Sequence, residues 1–398
     1  MLSSPDSLAR LFASFEPRIA GAPIEDFSRL HKSAAGYCEV APQSAEETSA
    51  IVSLAAANQI PIRVRGNGHA LNGSSLPRPG ELCLSTARLS ALHSPSDEAI
   101  VAGAGLILWK VNEHLSRDGL SLPVTNDGYA GPSVGGFVAA GGFGPGSATA
   151  GGFWNNVSNL AVVNGKGELQ TIASSDPLFP WFFGSMGQLG VVVEATLELA
   201  RNGSERASLT QAAGPKEPLT LGEWSSDPAV MSPEAGLLFW FTLFVPQGAI
   251  GEASEALGRL EDRAISHFDF RDRYTYLIRR GRIIAPLIWP HPSSCYAVGS
   301  WGIQKPAGLK EVEELLTFDA AVLALAIDHG YRRYVQSEIP AGPRFYRRYF
   351  GDELYKALWR RKRAQDPQNI LNRGWVFDGS LQPDECTTSV HGEPASQR

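Results

Sequence analysis

Cysteine is scarce: four residues in 398, at positions 38, 83, 295 and 386, never in a Cys-x-x-Cys pair. That spacing suggests neither a zinc site nor a disulfide framework and fits a reducing, cytoplasmic setting. No apolar run approaches the length of a membrane span, and the first residues, Met-Leu-Ser-Ser-Pro-Asp-Ser, lack the basic segment and apolar core of an export signal. Positive charge is not in excess either. Thirty-five Lys and Arg against 41 Asp and Glu leave a formal charge of −6, which offers no general electrostatic footprint for nucleic acid or an anionic membrane. Two nucleotide signatures are also missing. There is no Gly-x-x-x-x-Gly-Lys-Ser/Thr run and no Gly-x-Gly-x-x-Gly after a strand, so neither a P-loop nor a Rossmann fingerprint is present. The expected partner is a small molecule, with no metal, nucleic acid or membrane.

Glycine, by contrast, is abundant and concentrated. Ile60, Ile62 and Val64 alternate as a short buried strand that stops at Gly66, and Gly66, Gly68 and Gly73 then free the backbone to turn tightly. Successive amides in such a turn can form an anion nest without a helix behind it. His69 stands in its middle, either as a group that meets a cofactor or as a satisfied histidine in an ordinary turn. A second glycine-dense stretch, Thr125 to Trp154, is too apolar for a solvated linker, with Val134, Phe137, Val138, Phe143 and Phe153 interspersed. Closely spaced glycines among apolar residues suit a backbone packed against a planar ligand or another backbone.

The remaining pattern is α+β. Helices are expected over Ser7 to Phe15, from a Ser44 N-cap with Glu46 and Glu47 in the first turn, and over Leu108 to Asp118 ending at Gly119. Strands are expected at Tyr37 to Val40, Leu82 to Leu84, Ile100 to Ala102, Leu160 to Val163 and Leu169 to Ile172, with an alternating strand running to Leu199. Beyond Arg201 the composition changes. Leu237 to Val245, Arg282 to Trp289 and Cys295 to Trp301 read as strands, and Ala253 to Ala264 and Leu309 to His329 as helices, giving a sheet with helices on one face. Trp240, Tyr274, Trp289, Tyr296 and Trp301 line a pocket on one reading and fill core on the other. Tyr331-Arg332-Arg333-Tyr334 recurs as Tyr346-Arg347-Arg348-Tyr349, which suits an acidic ligand or stacking on nucleic acid, or else packed and solvated side chains.

Arg65-Gly66-Asn67-Gly68-His69-Ala70-Leu71-Asn72-Gly73 resembles the flavin-attachment loop of the vanillyl-alcohol oxidase and p-cresol methylhydroxylase superfamily, closest to cytokinin dehydrogenases and berberine-bridge-type oxidases. The resemblance implies FAD bonded through its 8α-methyl carbon to His69. Gly131-Pro132-Ser133-Val134-Gly135 falls on the berberine-bridge pattern Cys-Pro-Thr-Val-Gly, so the glycine replaces the cysteine of a second covalent bond. Asn156 to Glu168 and Gly184 to Val192 resemble cytokinin dehydrogenase patterns in the same order, and Asp366 to Gly374 resembles the superfamily's closing run, with Arg373 where proline is usual. By this resemblance the FAD contacts are Arg65, Gly66, Asn67, Gly68, His69, Ala70, Asn72, Gly131, Pro132, Ser133, Gly135, Gly136, Gly141, Gly142, Asn156, Val157, Gly187, Gly190, Val191, Val192 and Asn372.

The implied architecture is a two-part PCMH-type FAD-binding domain (1–200 and 340–378) with an inserted α+β substrate domain (201–339), an antiparallel sheet covered by helices, and a polar tail (379–398) expected to be disordered. The implied chemistry is an oxidase or dehydrogenase that passes hydride from an alcohol, amine or sugar to flavin, with oxygen or another acceptor reoxidising it. A base is expected shortly before Val134. The position that carries an aspartate in cytokinin dehydrogenases is Gly128 here, so Asp127 and Tyr129 are the candidates, with a turn aspartate as the competing reading of Asp127. A nucleotide-sugar type of flavin reductase and an inert flavin-binding module are the alternatives.

Overall fold

The computed structural model describes residues 4–96, 98–126, 131–201, 236–264, 269–304, 308–335 and 343–377. Asp127 and Tyr129, the boundary placed just after Arg201, Cys386 and the tail therefore lie at or outside the edges of the described residues. The fold is mixed α+β, with four sheets among those residues.

The first sheet joins β1 (Arg18–Ala20), β2 (Tyr37–Val40), β3 (Ile62–Arg65) and β4 (Leu82–Ser85) in the order β1-β2-β4-β3. The β1–β2 pair is antiparallel, while the β2–β4 and β3–β4 pairs are parallel, so crossovers join β2, β3 and β4. Helix α1 (Pro5–Leu11) and helix α2 (Ala45–Ala57) cover it. Helix α2 starts where expected: Ser44 Oγ accepts the Glu47 amide hydrogen, and Glu46 and Glu47 occupy the first turn. Its Ile51, Val52 and Ala55 meet Ile62, Leu82 and Leu84 in one buried cluster.

The second sheet is antiparallel, β5-β9-β7-β8, from β5 (Ala99–Gly103), β7 (Val157–Val163), β8 (Leu169–Ala173) and β9 (Val191–Glu198). Between β5 and β7 run α3 (Leu108–Ser116), the short strand β6 (Leu120–Ser121), α4 (Val134–Ala140) and α5 (Ser147–Ala150). Strand β6 pairs with β10 (Ala200–Arg201).

The third sheet is also antiparallel, ordered β12-β13-β11-β14, from β11 (Leu237–Pro246), β12 (Asp269–Ile278), β13 (Cys295–Gln304) and β14 (Arg332–Arg333). Leu237, Phe239, Phe241, Leu243 and Val245 of β11 pack under α6 (Ile250–Ala264) and α7 (Leu309–Asp328). The opposite face looks the other way: Leu238 clusters with Leu71, and Phe244 with Phe143.

One expected strand is wrong. Arg282 to Trp289 is irregular, and the strand that pairs with β13 is instead Asp269–Ile278. Pro286 lacks the amide a central strand needs. The 283–289 segment is nonetheless buried and plugs onto the glycine-rich stretch: Trp154 Nε1 donates to Ile283 O at 3.1 Å, and Asn155 Oδ1 accepts the Ile283 amide at 2.8 Å.

Helices α8 (Pro343–Phe350) and α9 (Asp352–Gln365) lead back to the first two sheets. Leu371 bridges Ile62 of β3 in parallel, and Gln365 O accepts the Gly165 amide in the β7–β8 turn. The closing run is locked by a fully buried pair, Lys362 Nζ and Asp366 Oδ2 at 2.7 Å. Asp366 also accepts the Ile370 and Leu371 amides, and Lys362 donates to Leu371 O. The two Tyr-Arg-Arg-Tyr copies pack on each other: Arg332 Nη1 donates to Tyr349 O at 2.6 Å, and Tyr349 OH donates to Arg333 O. Arg333 is buried against Asp319. Packed side chains, not a ligand site, account for the repeat.

Candidate functional site

Strand β3 carries the chain out of the first sheet into the glycine loop, and three other segments converge on that loop. The result is a cleft open to solvent. Its walls are Gly66, Asn67, Gly68, His69 and Ala70 from the loop, Pro132, Ser133, Gly135 and Gly136 from the start of α4, Ser185, Met186, Gly187, Gly190 and Val192 before and within β9, and Asn372 from the closing run. No Lys, Arg, Asp or Glu lines it among the described residues.

The loop is built for close approach. A Cβ on Gly66 would stand 2.3 Å from Ser133 Oγ, and Gly68, at φ +73°, would press one into the Arg65 guanidinium. Among the described residues the amides of Gly66, Gly68, His69 and Ala70 donate to no protein acceptor. Unspent amides in a glycine turn are an anion nest. The Arg65 guanidinium lies directly behind it, held by Ser75 Oγ at 3.2 Å, so a pyrophosphate would find dipoles in front and a full charge behind. Hydroxyls of Ser74, Ser75, Thr86 and Ser133 complete the polar lining. A cofactor with a diphosphate and a planar, largely apolar ring fits this set.

His69 is half-buried at the cleft wall. The Phe27 ring packs on its imidazole, centroids 4.3 Å apart, and Phe27 N donates to Ala70 O. Desolvation lowers the imidazole pKa from its ordinary value to about 4, so the ring is neutral at physiological pH with a lone pair to offer. Asn372, at φ +47°, holds the cleft floor together through Val64, Met186 and Gly187.

Other candidates stand behind the cleft. Asn72 is buried and donates to Val335 O at 2.7 Å, while Gly131 O accepts from Asn67 Nδ2. A Cβ on Gly141 would meet Ile288 Cδ1 at 2.5 Å, and one on Gly142 the Phe137 ring at 2.1 Å, so these two serve protein packing. Asn156 donates to the carbonyls of Ala150 and Gly152 and fixes the turn into β7; Val157 and Val191 are core. Trp240, Tyr274, Trp289, Tyr296 and Trp301 do not line the cleft; Tyr274 and Trp301 cluster with Leu71.

Sequence reasoning missed Val64, Ser74, Ser75, Thr86, Ala139, Ala140, Phe182, Ser185 and Met186. The serine pair directly after Gly73 was a readable signal. Met186 was not: only the structure shows its positive φ of 54° and the hydrogen bond its sulfur accepts from Tyr346 OH. Below the loop, Arg63 is fully buried and doubly bonded to Glu81, at 3.0 and 2.8 Å, and also donates to Ser74 O and Arg373 O. One ion pair thus ties the glycine loop to the closing run. Among the described residues no cluster of three or more His, Cys, Asp or Glu is arranged to hold a metal ion.

Residues 37–173 match the family model of the FAD binding domain. Among its relatives, D-lactate dehydrogenase of Archaeoglobus fulgidus is 31% identical over 176 residues, 42% of this chain and 40% of that protein. Cytokinin dehydrogenase 2 of Arabidopsis thaliana is 30% identical over 199 residues, 49% of this chain and 39% of the relative. D-2-hydroxyglutarate dehydrogenase of Xanthomonas citri is 32% identical over 167 residues, 40% and 35% respectively. The matches thus span about two fifths of these relatives.

Proposed function

We propose that this protein oxidises a small organic substrate, taking hydride from carbon onto FAD held in the cleft. The observation that carries this reading is the convergence of four separate segments, with unspent loop amides, on one cleft bounded by His69 and Asn372. FAD, when bound, supplies the two-electron acceptor. The chain's own groups would hold it: Gly66 to Ala70 the diphosphate, and the start of α4, the Ser185 to Gly190 turn and His69 the ring. The neutral imidazole supports a covalent bond from His69 to the 8α carbon, and Gly131 in the cysteine position supports that bond's being the only one.

In this reading residues 1–200 and 340–378 form the PCMH-type FAD-binding domain and 201–339 an inserted substrate domain. The inward face of β11 and β12, packed on Leu71, supports that placement. A base from the residues before Gly131, Asp127 first and Tyr129 second, takes the substrate's O–H or N–H proton. Three buried free cysteines agree with a cytoplasmic location. No helix among the described residues is long and apolar enough to cross a membrane. Oxygen or another acceptor reoxidises the flavin.

Anaerobic bleaching of the flavin tests the proposal. D-lactate, D-2-hydroxyglutarate, a cytokinin, and panels of alcohols, amines and sugars are added without NADPH. Bleaching by any of them supports the oxidase or dehydrogenase. Bleaching by NADPH alone would make the protein a reductase, and no bleaching by either would make it an inert flavin binder.

A further inference from the structure

A second hollow, open to solvent, lies on the other side of the glycine loop and shares no lining residue with the first. It is bounded by His31, Lys32 and Ala34 of the lead-in, Asn72 and Gly73 of the loop, Leu76 to Pro79 of the return segment, and Trp375 of the closing run. Leu76, Pro77 and Trp375 are buried and form an apolar floor. Lys32 and Arg78 are exposed and form the rim. Two prolines with fixed φ and a loop held from below keep these walls in place. Asp26 Oδ2 accepts the Gly73 amide at 2.8 Å, and Asn72 donates to Val335 O.

The electrostatics of the lining are one-sided. Both of its charged side chains are cationic, and no carboxylate faces it. Glu25 neutralises Lys32 only through a pair at 2.7 Å in which both side chains are largely exposed, a kind worth little and easily exchanged. Glu81 is spent on Arg63 and on the Arg78 amide, not on the Arg78 guanidinium. That guanidinium lies 5.5 Å from the centre of the Trp375 ring and gives one bond to Gly374 O, leaving other N–H donors for a ligand. His31 also lines the cavity, with the Asp26 carboxylate acting on its imidazole from behind.

We propose that this cavity is a binding site for a small organic carboxylate, distinct from the flavin cleft. The carboxylate group meets Arg78 and Lys32 at the rim with His31 beside it, and a compact apolar or planar body lies on Leu76, Pro77 and Trp375. The ligand would abut the Asn72-Gly73 turn from behind, three residues past His69.

The test is calorimetric titration of the purified, flavin-loaded protein with sodium benzoate, repeated with inorganic phosphate, which has the charge without the body. Benzoate is expected to bind at one site, and phosphate more weakly. Arg78→Ala is expected to weaken benzoate by about tenfold or more, as loss of a charge-assisted contact does, with flavin content and spectrum unchanged. Arg78→Lys should recover part of the affinity, and Lys32→Ala should give a smaller loss. No benzoate binding at about 10 mM, where even millimolar affinity registers, would overturn the site. Equal affinity in wild type and Arg78→Ala would also overturn it, since benzoate would then be elsewhere. Phosphate binding as tightly as benzoate would overturn the assigned apolar body.

Discussion

Asn372 Oδ1 accepts the amide hydrogen of Val64 at 3.0 Å, although 308 positions separate the two residues. The same side chain gives its Nδ2 hydrogens to the carbonyls of Met186 and Gly187, at 3.1 and 3.0 Å. Its own amide donates to Ile62 O. One amide side chain therefore fastens β3, the turn before β9 and the end of the chain around the cleft.

Asn372→Ala removes an acceptor and a donor pair at once. Each buried group left unpaired costs about 1–3 kcal/mol. Denaturant unfolding should show a loss in that range, and dialysis or acid precipitation should show reduced FAD content. Full retention of both stability and flavin would show that the three segments hold together without it.

His69 should retain flavin through acid precipitation, and one flavin-bearing peptide containing His69 should appear on mass spectrometry after proteolysis. His69→Ala should release its FAD in acid. Flavin freely released from wild type would refute the bond, and a cysteine-linked flavin peptide would refute its being single.

The same imidazole makes a pH prediction for the apoprotein. Its folded pKa of about 4 lies below the ordinary value of 6.5, so below pH 6.5 the unfolded chain takes a proton that the folded one refuses. This site's contribution to stability is therefore full above pH 6.5 and falls as pH drops from 6.5 toward about 4. His69→Gln should lose that part of the acid sensitivity. Identical pH profiles for the two proteins would place the proton elsewhere.

Lys362→Met should cost about 3–5 kcal/mol, because it leaves the Asp366 carboxylate buried without its cation. Burial already pulls the Lys362 pKa down, opposed by Asp366. A loss under about 1 kcal/mol in urea unfolding would contradict burial of the pair.

Asp127→Asn should slow anaerobic flavin reduction by about 10²- to 10⁴-fold with the flavin spectrum intact, the usual range for loss of a general base. Near-normal reduction with lower thermal stability would make Asp127 a turn residue. Rates within about threefold of wild type for both Asp127→Asn and Tyr129→Phe would move the base to another segment.

Local signals carried the first half of the fold. Ser44 announces α2 because a side-chain oxygen satisfies an amide three residues away, and β2, β3 and the 164–167 turn are likewise written in nearest neighbours. The glycine loop around His69 was legible for the same reason: backbone freedom is a property of the residue itself. Tertiary packing decided the rest. Alternation along β3 would send Arg63 to solvent, yet it is wholly buried, because Glu81 comes from the segment just before β4 and Arg373 from the closing run. The apolar run 283–289 looked like a strand but is a plug, while Asp269–Ile278, charged at its start, took the place beside β13. Which glycines border the cleft was equally invisible: Gly66 and Gly136 do, and Gly141 and Gly142 face Ile288 and Phe137. A sequence specifies what each residue can tolerate, but which neighbour occupies the space left by a missing Cβ is set only when distant segments close-pack.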